Sequence, residues 1–148
     1  MREVALYGTL AAVLGTLAHV LHGISHVEHR VPLDPWQWAY VIFVVFLAPV
    51  VVVLLWTRLR RVGAWLLLAS MAGALVFGLA FDFLISGPDD VITLNPGAGR
   101  EAFDVSAVLV ALTEVIGCVV GIWTLSKIPL SAEIAGTMHP RHSSGEEV

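Results

Sequence analysis

Four of the chain's six histidines, His19, His22, His26 and His29, lie in one run, HVLHGISHVEH. Their spacings of three, four and three place them within an arc of roughly 80° on a helix turning about 100° per residue. Neutral imidazole is a ready metal ligand, and histidine is costly in hydrocarbon, so a stripe of four marks a candidate site. Histidines at i and i+3 (His19 with His22, His26 with His29) or at i and i+4 (His22 with His26) can chelate one ion. A carboxylate from a facing helix then completes a tetrahedral or open site, and Zn, Cu and Fe all suit such N/O donors. The run matches no zinc or oxygenase signature in full.

Three acids are placed to be those carboxylates. Asp82 lies just inside the third apolar segment, Asp104 at the start of the fourth and Glu114 in its middle. The expected primary ligands are His19, His22 and His26 with Asp82; His29, Asp104 and Glu114 rank second. Asp82 serves equally well behind the ligands, fixing one imidazole tautomer. Without a metal, His26 and His29 suit the membrane interface, and His19 can bond Glu114 or a backbone carbonyl. Haem fits worse, because bis-His ligation needs imidazoles on opposite faces of the macrocycle and no other apolar segment carries a histidine. A proton relay through His19 and Glu114 is a third reading, with no residues in the sequence marking a continuous path to the other side. His139 and His142, in HPRH, sit in a polar tail with Pro129, Pro140, Ser143 and Ser144 and are not counted as a site.

The elements that must position these groups are transmembrane. The 148 residues are 57% hydrophobic and only 14% charged, with a mean hydropathy of +0.85, whereas soluble domains carry roughly 25% charged residues. Four apolar stretches, Val4 to Ser25, Trp38 to Trp56, Ala64 to Ile85 and Phe103 to Leu125, are long enough to cross a hydrocarbon core of about 30 Å. The expected fold is all-α: a four-helix transmembrane bundle in one domain over 1–126, antiparallel and up-down-up-down, followed by a polar, disordered tail over 127–148. Arg2 ahead of an apolar run resembles a signal peptide. That run is long, holds His19 and His22, and lacks a clear cleavage site, so it reads as a retained helix. Pro49 should kink the second helix, and the loop from Ser86 to Ala102 is long enough to fold over the bundle mouth.

In lipid, small residues mark the faces where helices meet. On the first helix Gly8, Ala12 and Gly15 continue the histidine stripe. On the third, Ser70, Ala74, Gly78 and Asp82 follow at steps of four. On the fourth, Asp104, Ala107, Ala111, Glu114, Cys118 and Gly121 form a three-four seam, with Gly117 and Gly121 as a GxxxG pair. His22 and Asp82 each lie about 27 Å from the inner end of their helices by the helical rise, so they should meet.

Basic residues set the orientation. Arg2, Arg58, Arg60, Arg61, Lys127 and Arg141 belong to one side, only Arg30 and Arg100 to the other, so both termini are expected in the cytoplasm. Trp36 and Trp38 mark the outer boundary; Trp56, Trp65 and Trp123 mark the inner one. The histidines then face an outer, acidic mouth that attracts cations over a screening length of roughly 8–10 Å. A single Cys118 excludes an internal disulfide, and the arginines are orientation signals with no nucleic-acid role. The expected protein is a multi-pass cell-membrane protein with an outward His/carboxylate metal site: a metalloenzyme, a metal-handling protein or a redox-complex subunit. The rival is an accessory subunit without chemistry, whose Gly/Ala faces bind copies of itself or a larger membrane complex.

Overall fold

The computed structural model of the protein describes residues 2–56, 58–85 and 99–128, all of them in helices or the turns between helices, with no strand. Four helices have the length and hydropathy to cross a membrane. They are α1 (Arg2–His29), α2 (Pro35–Leu55), α3 (Arg60–Leu84) and α4 (Arg100–Lys127). Each runs beyond its apolar core into flanking polar residues, so α1 carries the histidine stripe through His29. The second outer loop and the tail with His139 and His142 lie outside the described residues.

Local chemistry sets the helix ends. Arg30 adopts φ 54, and Val31 N–H reaches back to the His26 carbonyl at 3.0 Å, a left-handed stop that usually falls on glycine. Placing an arginine there costs roughly 1 kcal/mol of backbone strain, and it ends α1 one residue past His29. Pro35 opens α2 where its missing N–H does no harm, and the Asp34 N–H donates to Gln37 Oε1 at 2.6 Å, half of a capping box.

Two stretches are widened to π-helical hydrogen bonding, Val41–Leu47 in α2 and Leu79–Leu84 in α3. In α2 the Ala48 N–H bonds Phe43, five residues back, immediately before Pro49. Proline has no N–H for the carbonyl four residues back and its ring crowds it. The widened turn lies on the N-terminal side of Pro49, where the missing hydrogen bond falls. In α3 the Ile85 N–H bonds the Ala80 carbonyl at 2.7 Å. Such insertions re-aim side chains and recur at functional sites, and Asp82 lies inside this one.

Neighbouring helices pair rising residue numbers with falling ones. On α1 and α4, Tyr7 packs on Trp123, His19 meets Glu114 and His22 meets Ser106. On α3 and α4, a Cβ at Gly121 would strike Leu68, and one at Gly117 would strike Met71. On α2 and α3, Tyr40 stacks on Phe77 at 4.7 Å and Gly63 abuts Trp56.

The main apolar cluster, including Val4, Ala12, Val52, Trp56, Ala64 and Leu67, gathers the start of α1, the α2–α3 turn and the end of α4. Arg61 closes that end, donating to the Ile128 carbonyl at 2.8 Å. Trp56 at the α2–α3 turn is buried, with its ring where a side chain at Gly8 would go. Outward faces are apolar too, as at Leu10, Leu17 and Leu21 of α1 and Val119 and Ile122 of α4, in keeping with helices apolar enough to cross a membrane.

Candidate metal centre

At the end of the bundle away from the arginine turn, α1 and α3 bring His22, His26 and Asp82 together. One ligand atom from each lies within 4.8 Å of the other two. His26 Nε2 is 3.1 Å from His22 Nε2, and Asp82 Oδ2 is 3.5 Å from the same nitrogen. The two histidines are four residues apart, so successive turns stack their rings, edge to face at 4.7 Å. Phe103 of α4, fully buried, packs against both rings with centroids at 4.9 Å and 5.1 Å.

Hydrogen bonding behind the cluster orients His22. Ser106 donates its hydroxyl proton to the Phe103 carbonyl at 2.9 Å. Its oxygen then accepts from His22 Nδ1–H at 3.1 Å, which leaves the Nε2 lone pair aimed at His26 and Asp82. Ser25 lies 3.3 Å from the same hydroxyl. A ligating imidazole held through its other nitrogen is the usual arrangement in metal sites. Two imidazole nitrogens and a carboxylate oxygen then converge on one small volume, and a cation at their centre would satisfy all three.

His19 and Glu114, one turn deeper, form a separate pair. His19 Nδ1 contacts the Gly15 carbonyl at 2.8 Å. A carbonyl only accepts, so Nδ1 carries a proton. Nε2 and Glu114 Oε1, 2.9 Å apart, therefore share one further proton. Both His19 nitrogens are engaged, and Glu114 is 1% exposed, with no hydrogen-bond partner at Oε2.

Of the other expected residues, Asp104 pairs with Arg100 on its own helix at 3.5 Å and stays outside the cluster. His29 ends α1, and its side chain is outside the described residues. Reasoning from sequence passed over Ser25, Phe103 and Ser106 as site residues. The α4 seam runs through Phe103, Ser106, Ala107, Val110, Glu114, Gly117, Gly121 and Thr124, with Asp104 and Cys118 only partly buried at its margins. A three-four reading anchored on Glu114 instead of Asp104 would have exposed Phe103 and Ser106.

The cluster and the pair open on one cavity of about 880 Å³, lined by His19, His22, His26, Asp82 and Glu114 together with apolar side chains from all four helices. That volume is within the range of about 300–1,000 Å³ typical of small-molecule sites. Comparison with protein-family models, with curated proteins and with solved structures gives no match for this chain.

Proposed function

We propose that this is a multi-pass membrane protein that binds a transition metal through His22, His26 and Asp82. The observation that carries the reading is the convergence of three donor atoms, from two helices, within 4.8 Å of one another. Two nitrogens and an oxygen suit Zn, Cu or Fe, and three protein ligands leave a coordination position open toward the cavity. The protein would serve as a membrane metalloenzyme, a metal-handling protein or a subunit of a redox complex. The reversed pairing of residue numbers supports an antiparallel up-down-up-down bundle. Arg58, Arg60 and Arg61 beside Lys127 at one end support cytoplasmic termini and an outward-facing site in the cell membrane.

A second reading, a structural or accessory subunit without a metal, has its own support. His19 bonded to Glu114 and His22 bonded to Ser106 tie α1 to α4 whether or not an ion binds.

Elemental analysis of the purified protein, with its absorption spectrum, separates the two. The expected result is one transition metal per chain and no Soret band. His22→Ala and Asp82→Ala should each remove most of the metal, and the double variant should lose little beyond the worse single one. His142→Ala should change nothing. Protons compete for ligating imidazoles, so occupancy should fall as pH drops through the ordinary histidine range, about 6.5. Metal-free wild type, or full metal in both single variants, leaves the structural reading standing.

A further inference from the structure

The metal reading makes no use of Glu114 Oε2. This oxygen is buried and has no hydrogen-bond partner, and it belongs to a fully buried residue that contributes to the cavity wall. A buried, unsatisfied oxygen typically costs about 1–3 kcal/mol, more when charged, so what faces it is informative. The proton shared by His19 Nε2 and Glu114 Oε1 settles its character. If the proton sits on the imidazole, Glu114 is a carboxylate and Oε2 accepts. If it sits on Oε1, Oε2 is a carbonyl oxygen and again accepts. Either way the pair is neutral overall, so it calls for a neutral donor and does not select a cation.

Glu114 Oε2 is also beside the metal-ligand cluster. A Cβ built on Gly78 would lie 4.0 Å from this oxygen and 3.6 Å from Asp82 Oδ2, so Gly78 leaves room between the two carboxylates. The remaining wall includes Val41, Val45, Phe46, Phe77 and Val110, which match hydrocarbon or an aromatic ring. A hydroxyl suits the place where these surfaces meet, because it can donate its proton to Oε2. An ether or a bare acyl chain cannot donate.

We propose that the cavity binds a membrane-soluble hydroxyl compound, a lipophilic phenol or alcohol, with its O–H donated to Glu114 Oε2 and its hydrocarbon body against the apolar wall. The inference rests on the His19–Glu114 pair and not on a bound metal.

The test uses the full chain in lipid nanodiscs after chelation, with a ring-brominated para-hexylphenol and its methyl ether as probes. Bromine quenches nearby tryptophan, and Trp38 lines the cavity. The phenol should give saturable quenching that Trp38→Phe removes, on top of the linear quenching from probe dissolved in lipid. The ether should bind at least about tenfold more weakly, as expected for loss of one hydrogen bond to a buried acceptor. Glu114→Ala should bring the phenol down to the ether's affinity, and Val110→Phe should abolish saturable quenching by filling the cavity. Equal affinities of phenol and ether for the wild type would show a space for any acyl chain and overturn the assignment, as would quenching that never saturates. Both comparisons use the unmodified protein, so misfolding of a variant cannot rescue the idea. Metal content measured before chelation reports separately on the metal reading.

Discussion

At the scale of single residues, the site divides its histidines by what each second nitrogen does. His19 spends Nδ1 on its own helix, at the Gly15 carbonyl, and Nε2 on Glu114, so no lone pair is left for a metal. His22 spends Nδ1 on Ser106 and keeps Nε2 pointed at His26 and Asp82. This makes Ser106 a positioning residue whose effect can be measured. Ser106→Ala removes the acceptor that fixes the His22 ring, and loss of such outer partners typically weakens metal binding by about 10–100-fold. Metal affinity by competition with a chromophoric chelator should therefore fall by that order. Ser126→Ala, at the exposed far end of the same helix, should leave it unchanged. Equal affinities in both variants would mean the hydroxyl does not hold the ring.

At the scale of elements, close approach between α3 and α4 sets where Glu114 points. Gly121 faces the backbone of α3: an added Cβ would stand 3.2 Å from Leu68 Cα and 3.3 Å from its nitrogen. Gly117 faces the Met71 side chain, at 2.6 Å from Cγ, and methionine is unbranched and adaptable. The crowding at Gly117 is tighter in distance, but it falls on an unbranched side chain with several rotatable bonds, whereas a helix backbone can only be pushed away. Gly121→Ala should therefore cost more thermal stability in detergent than Gly117→Ala, on the scale of about 1–3 kcal/mol for overpacking. Val119→Leu, on an outward apolar face, should be near neutral. A larger loss at Gly117 would show that Met71 is pinned.

At the scale of the whole molecule, the bundle separates its ends chemically. One end holds the arginine turn, Lys127 and the tight apolar cluster; the other holds the histidines, the two buried acids and the cavity. The orientation that follows from the basic residues is open to direct labelling. After replacing Cys118 with alanine, a cysteine at Asp34 should react with an impermeant thiol reagent on intact cells, and one at Arg58 should react only after permeabilisation. The reverse pattern would put the cavity on the cytoplasmic side.

Sequence by itself determined the four helices, the inward small-residue stripes of α1 and α3 and the depth match of His22 with Asp82. Composition, a 3.6-residue period and a rise of about 1.5 Å per residue are local quantities, legible without any neighbour. It also named His22, His26 and Asp82, which the structure brings together, and listed a His19–Glu114 bond among the alternatives. Which histidines share a focus was decided by the tertiary structure. All four sit on one stripe of one helix, so their spacing cannot separate them; the separation comes from what faces each turn. Glu114 of α4 meets the turn of His19, while Ser106, Phe103 and an Asp82 re-aimed by the widened turn of α3 meet the turn of His22 and His26. Asp104 and Glu114 look equivalent on a three-four seam, yet the rotation of α4 buries one and leaves the other half-exposed beside Arg100. Helix rotation is set by side chains of several elements packing at once, and no window along a single chain contains that information.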